Sequence, residues 1–211
     1  MAEERNGTRK RTCWYTAARV FGAVVLHTIC PVRFVHPERL QGDAPFLVIS
    51  NHSSWIDPVA IAMVIKRYET VFLGKKELVK SKLGGYVIRK LHMITVDRGN
   101  TDMEAMRACL KTLRGENVLA IFPEGTRHHE GVMEQMESGV GLIALRSGVP
   151  MLPVLIDGKI RPFRRTTVYC GEPIPMDDLR AEGVNTQTCA ALMARITETY
   201  RRMLAQRGGK A

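Results

Sequence analysis

Short continuous apolar runs alternate along the chain with stretches in which apolar residues recur at helical spacing. Such runs are typical of strands buried on both faces, as in a parallel sheet. The predicted strands are Val32–Val35, Phe46–Ser50, Val71–Gly74, Met93–Val96, Val118–Phe122, Leu152–Ile156 and Thr167–Cys170. The predicted helices are Pro58–Lys66 (capped by Asp57), Asp102–Arg114, Gly139–Ser147 and Thr186 to about Leu204, with shorter helical patterns at Glu77–Lys80 and Tyr86–Leu91. Strands separated by helices predict an α/β fold, with a mixed, largely parallel sheet flanked by helices.

The N-terminal part has a different pattern, in which a basic start is followed by an apolar stretch. Basic residues cluster at positions 5–11, and the stretch after them contains no acid and is interrupted by Arg19. A spanning helix needs about 20 apolar residues, so this interrupted stretch favours a helix lying in the membrane interface. The alternative is a helix that simply covers the core. We therefore divide the chain into a membrane-interface helix (1–31) and one domain (32–211).

Composition narrows the range of partners. The chain has 211 residues and a formal charge of +10, with 45% hydrophobic and 25% charged residues. This length allows one sizeable core, and the basic surplus favours an anionic partner such as a membrane face, a phosphorylated substrate or nucleic acid. Aromatic residues are only 6%, and no Arg-rich repeat occurs, which argues against nucleic acid. Five scattered cysteines without metal spacing predict reduced thiols and no metal site.

The first candidate for chemistry is the stretch NHSSWIDP, which directly follows the predicted strand Phe46–Ser50. His52 and Asp57 are five positions apart, and a turn between them can bring the carboxylate against the ring. A carboxylate on one ring nitrogen raises the basicity of the other, as a general base requires. The alternative is that Asp57 only caps the next helix and His52 packs.

Two arginines follow other predicted strands. Arg98 lies in VDRGN and Arg127 in FPEGTR. Since the ends of parallel strands meet at one edge, both guanidinium groups could reach the place occupied by His52, where they would suit a phosphate. Glu124 could orient one of them and Gly125 would allow close backbone approach. A purely structural ion pair between Glu124 and Arg127 is the alternative.

The sequence lacks the motifs of covalent catalysis and of nucleotide binding. It has no G-x-S-x-G nucleophile elbow and no phosphate loop. Ser53 and Ser54 adjoin His52, and neighbours in the chain rarely face each other as base and nucleophile. His128 and His129 are interpreted as solvated or gating the site, and not as metal ligands. A base without a protein nucleophile suits direct acyl transfer to a substrate hydroxyl, with no cofactor.

Four segments in this order carry a family resemblance: NHSSWIDP, VDR, FPEGTR and GVPMLPV. They resemble the four blocks of the phospholipid/glycerol acyltransferase family, and the match runs from about Phe46 to Gly158. The resemblance implies transfer of an acyl group from acyl-CoA or acyl carrier protein to the 2-hydroxyl of lysophosphatidate, giving phosphatidate. His52 would be the base and Asp57 would orient it. Substrate binding is implied for Lys75, Arg98, Glu124, Gly125, Thr126 and Arg127.

The resemblance also implies a bacterial enzyme of phospholipid biosynthesis, held peripherally or monotopically at the cytoplasmic face of the cell membrane. Two alternatives stay open. The chain could acylate another acceptor, such as glycerol 3-phosphate or a different lysolipid. It could also be a non-enzymatic module that binds anionic lipid, which the basic charge and the N-terminal helix would suit.

Overall fold

A seven-stranded sheet forms the centre of the described part of the protein. The computed structural model describes residues 13–75, 93–96, 102–115, 117–125 and 131–207. Within these ranges seven strands pair in the order β1-β7-β6-β2-β5-β3-β4. They are β1 (Val32–Val35), β2 (Phe46–Ser50), β3 (Thr70–Lys75), β4 (Ile94–Val96), β5 (Val118–Ile121), β6 (Met151–Asp157) and β7 (Thr166–Cys170). The five strands from β6 to β4 run parallel, β7 is antiparallel to β6, and β1 is parallel to β7. The predicted mixed, largely parallel sheet is confirmed.

Helices cover both faces of the sheet. They are α1 (Cys13–Val24), α2 (Asp57–Val64), α3 (Met103–Arg114), α4 (Gly139–Ser147), α5 (Asp177–Ala181) and α6 (Thr186–Gln206). One apolar core lies between the sheet and α3, α4, α5 and α6, and a second lies between the sheet and α2, with Leu26 and Cys30 from the segment that follows α1. The central strand β2 serves both cores, because Leu47 and Ile49 face one and Phe46 and Val48 face the other. This double burial explains its uninterrupted apolar run.

The helix α2 begins one residue earlier than predicted. We expected Asp57 to cap the helix and Pro58 to open it, whereas Ile56 occupies the cap and makes no side-chain cap bond. Asp57 is the first residue of the helix, and its carboxylate turns back toward the preceding loop. The structure adds α5 and a 3-10 turn at Pro37–Leu40, which were not predicted. The helical patterns at 77–80 and 86–91 lie outside the described residues.

The N-terminal helix has one buried and one exposed side. After Val24 it continues as a π-helix (Val25–Ile29). Tyr15 and Leu26 are buried, whereas Phe21 is 72% exposed. Within the described ranges, no helix is both long and apolar enough to cross a membrane. One side of this segment packs against the protein and the other presents apolar side chains, an arrangement that both interpretations of the helix allow.

Candidate active site

The candidate residues lie at the carboxyl edge of the parallel strands. His52 follows β2 and Glu124 follows β5, and these two strands are hydrogen-bonded neighbours. Lys75 ends β3 at the same edge, by the register of β3 with β5. Arg98, Thr126 and Arg127 lie outside the described residues, as does the side chain of Lys75. The structure therefore describes four residues of the predicted site: His52, Asp57, Glu124 and Gly125.

The imidazole of His52 is paired with the carboxylate of Asp57. His52 Nδ1 lies 3.1 Å from Asp57 Oδ2, and the side chain of Asp57 is completely buried while that of His52 is 19% exposed. With a carboxylate on Nδ1, the favoured neutral tautomer donates from Nδ1 and leaves the lone pair on Nε2. A base is thus oriented by a buried acid, and Nε2 is the atom left to act on a substrate.

The turn between these residues is built around one oxygen of Asp57. Oδ2 also accepts hydrogen bonds from the backbone N–H groups of Ser53 and Ser54, both at 2.6 Å. The other oxygen, Oδ1, has no hydrogen-bond partner in the described part of the chain. Two amide donors and the N-terminal end of α2 compensate the buried negative charge. The carboxylate therefore holds the loop and the imidazole in one arrangement.

The loop is also fastened to the end of β6. Ser53 Oγ donates to the carbonyl of Gly158 at 3.1 Å, and Ser54 Oγ donates to the carbonyl of Ile160 at 3.3 Å. Neither hydroxyl contacts the imidazole through a hydrogen bond in the described structure, and both serve as anchors. This agrees with the expectation that neither serine acts as a nucleophile.

Glu124 holds the backbone on the other side of His52. Its Oε2 accepts the N–H of His52 and its Oε1 accepts the N–H of Met133, each at 2.9 Å. The side chain is 7% exposed, so these bonds form away from most solvent competition. The described contacts thus give Glu124 a bracing function that the sequence did not predict, while its predicted contacts with arginine or substrate stay predictions.

Gly125 permits the tight turn that follows. Its φ is +68°, in the left-handed region that favours glycine, and its N–H donates to the carbonyl of Phe122. A Cβ at this position would approach Glu137 Oε1 to 2.9 Å. The turn therefore depends on the missing side chain of glycine.

Aromatic rings form one wall beside the base. The rings of His52 and Phe122 have centroids 4.3 Å apart and are tilted by 30°. Phe122 in turn stacks on Phe72, with centroids at 6.5 Å. This wall restricts the imidazole on one side and lowers the local polarity.

Two further residues position the site and were not assigned a function from the sequence. Asn51 donates to and accepts from the backbone of Ile156, at 2.9 and 2.8 Å, and so ties the end of β2 to β6. The phenol of Tyr200 donates to the carbonyls of Ile49 and Val154, at 2.7 and 3.1 Å. Burial raises the pKa of Tyr200 well above its ordinary value, which keeps the phenol protonated as a donor. The position of Asn51 beside His52 was a usable signal, whereas Tyr200 is too distant in sequence to offer one.

Comparisons with known proteins place the chain in a family. A family model described as Acyltransferase matches residues 31–157. The chain belongs to the acyltransferase family. This confirms the predicted family and the prediction of an enzyme of the acyltransferase class.

The relatives share a name. The chain is 30% identical over 160 residues to a 1-acyl-sn-glycerol-3-phosphate acyltransferase of Bacillus subtilis, covering 74% of this chain and 79% of that protein. It is 29% identical over 153 residues to the enzyme of that name from Streptococcus pneumoniae, covering 68% of this chain and 56% of that protein. The chain thus spans little more than half of the streptococcal relative.

A solved structure has the same fold. The crystal structure of the 1-acyl-sn-glycerophosphate (LPA) acyltransferase from Thermotoga maritima matches with a TM-score of 0.70. The match covers 93% of this chain and 80% of that one, at 24% sequence identity. At this identity the likeness establishes the fold.

Proposed function

We propose that the protein transfers an acyl group from acyl-CoA or acyl carrier protein to the sn-2 hydroxyl of 1-acyl-glycerol 3-phosphate, giving phosphatidate. The observation that carries the proposal is the contact of 3.1 Å between His52 Nδ1 and the buried Asp57 Oδ2. The names of the bacterial relatives support the choice of acceptor. The reaction takes place at the cytoplasmic face of the cell membrane, which holds the acceptor lysophosphatidate and the product phosphatidate.

The reaction needs no covalent acyl-enzyme. Nε2 of His52 removes the proton of the acceptor hydroxyl while its oxygen attacks the thioester carbonyl carbon. The carbon–sulfur bond then breaks, and the departing thiolate takes the proton from the imidazolium. Asp57 stabilises the imidazolium that exists between these two transfers.

The remaining predicted residues bind the acceptor. Arginine forks match phosphate oxygens bidentately, which suits Arg98 and Arg127 to the glycerol phosphate. Lys75 ends a strand at the same edge and adds positive charge. Gly125 and Thr126 directly follow Glu124, and Glu124 accepts the backbone N–H of His52. This contact supports a site in which the acceptor-binding residues lie next to the catalytic base.

The direct test is the variant His52→Ala. General-base catalysis contributes about 10²–10⁴-fold, so the rate of thiol release with lysophosphatidate should fall by that factor. A matched control exists, because exposed His36 makes the same 3.1 Å contact with Glu38 away from the carboxyl edge. His36→Ala should keep the wild-type rate. A folded His52→Ala protein with full activity would refute the mechanism.

Two measurements separate the proposal from its alternatives. Mass spectrometry of the products from one acyl-CoA and a panel of acceptors should give phosphatidate in preference to acylated glycerol 3-phosphate or other lysolipids. Comparison of acyl-CoA with acyl carrier protein identifies the donor. A chain that binds anionic vesicles and releases no thiol with any acceptor would instead be a lipid-binding module.

A further inference from the structure

An exposed phenylalanine stands out in the loop that joins β6 to β7 (residues 158–165, the β6–β7 loop). Phe163 is 83% exposed, which is the highest value among the large exposed hydrophobic residues of the described chain. All residues from 161 to 165 are exposed, whereas Ile160 is buried and packs in the second core. A single exposed apolar side chain is common, so the inference depends on what surrounds it.

The backbone holds Phe163 outward at an energetic cost. Its φ is +57°, a left-handed conformation that bulky residues rarely adopt. Its N–H donates to the carbonyl of Ile29 at 2.6 Å, so the loop is fixed against the end of the N-terminal π-helix. Strain that displays an aromatic ring to solvent brings no internal packing, and such outliers occur preferentially at functional sites.

The ring is surrounded by positive charge. Lys159, Arg161, Arg164 and Arg165 flank Phe163, and the sequence from 159 to 165 contains no acid. None of the four forms an ion pair with a carboxylate in the described part of the chain. An aromatic residue among unpaired arginines is the composition expected at a membrane interface with anionic headgroups.

The loop adjoins both the N-terminal helix and the candidate base. Ile29, which receives its hydrogen bond, is itself 42% exposed, and Phe21 on the preceding helix is 72% exposed. On its other side the loop accepts the hydroxyl bonds of Ser53 and Ser54, next to His52. One continuous set of contacts therefore links exposed apolar positions of the helix, the loop and the base.

We propose that the β6–β7 loop is a second membrane-docking element, in which Phe163 enters the interface of an anionic bilayer and its four basic neighbours contact lipid headgroups. This inference rests on the proposed function, since that function requires His52 to meet a lipid. The loop and the N-terminal helix provide separate contacts, and two contacts fix the orientation of the protein on the membrane. Orientation would set the height of His52 above the acyl chains.

The test measures partitioning of the full chain onto vesicles of phosphatidylglycerol and phosphatidylethanolamine, and onto neutral phosphatidylcholine vesicles. Phe163→Ala should lower partitioning about tenfold on both. The triple variant R161Q/R164Q/R165Q should lower it about 100-fold on anionic vesicles, at about fivefold per arginine, and hardly at all on neutral ones. Matched controls are Val184→Ala and R114Q/R201Q/R202Q, which change exposed residues elsewhere and should partition as wild type does.

Several results would overturn the inference. One is wild-type partitioning by both loop variants. Another is a loss that the control variants share. A third is unchanged vesicle partitioning together with weaker capture of an acidic carrier protein, which would make the loop a protein-docking site. Circular dichroism confirms folding, and the charge variant leaves Phe163 untouched if the alanine variant unfolds. Partitioning is measured without turnover, so absence of acyl transfer would refute the proposed function and leave this result standing.

Discussion

The variant Asp57→Asn tests the central contact with little change of shape. Asparagine keeps an oxygen where Oδ2 accepts four hydrogen bonds, two from backbone amides at 2.6 Å, one from His52 at 3.1 Å and a long one from the Ser53 hydroxyl at 3.4 Å. It removes the negative charge that favours the imidazolium. We therefore expect the loop to survive and the base to lose its activation.

The magnitudes for rate and stability differ, and this makes the test specific. The acyl-transfer rate should fall about 10²–10⁴-fold, which corresponds to about 3–5 kcal/mol of transition-state free energy. The free energy of unfolding should fall by about 2 kcal/mol, because hydrogen bonds to a charged acceptor are about twice as strong as neutral ones. For a chain of this size that loss lowers the melting temperature by about 4–8 °C.

The assay is release of free thiol from acyl-CoA at saturating lysophosphatidate, run beside thermal unfolding followed by circular dichroism. Glu38→Gln is the control, because Glu38 is the acid of the exposed histidine–acid pair. That variant should keep both the wild-type rate and the wild-type melting temperature. The reasoning would be refuted if folded Asp57→Asn turned over within threefold of wild type, or if Glu38→Gln lost as much activity.

Further predictions concern other parts of the same frame. Asn51→Ala leaves a buried N–H and a buried carbonyl of β6 unpaired, and urea unfolding should show a loss of about 2–4 kcal/mol. Gly125→Ala forces alanine to φ +68°, which should destabilise the protein by about 1–2 kcal/mol in the same assay, whereas an unchanged midpoint would contradict the strain. Burial raises the pKa of both Cys109 and Cys170 to about 12. In native protein at pH 8 a thiol reagent should therefore modify Cys189 before Cys109 or Cys170, and labelling of either buried thiol as fast as Cys189 would contradict this.

The strands were predictable because burial on both faces of the sheet produces a local run of apolar residues. β2 and β5 are buried along their whole length, so each appears in the sequence as a short run of almost entirely apolar residues. The expectation that their ends meet also needed only the parallel α/β pattern. The order of the strands was not predictable, because β6 and β5 lie on either side of β2 only after long crossovers have been made.

The details of the site depend on such long-range pairing. Asp57 was predicted as a helix cap from its position before Pro58. Its carboxylate instead accepts hydrogen bonds from two amide groups of the preceding loop and from His52. Glu124 reaches the backbone of His52 across the register of β2 with β5, and Tyr200 reaches Ile49 from a helix far along the chain. These contacts join residues far apart in the sequence, so no local sequence pattern could predict them.

The two hydrogen bonds of Glu124 allow the choice of acceptor lipid to change without disturbing the catalytic base. One carboxylate fastens the backbone of His52 and also Met133, beyond the segment 126–130 that carries part of the predicted acceptor site. Both stems of that segment are thereby secured independently of its own side chains. Substitutions within it can accumulate over evolution, or in a laboratory library, and shift the enzyme toward new lipid headgroups while the proton-transfer apparatus is inherited unchanged.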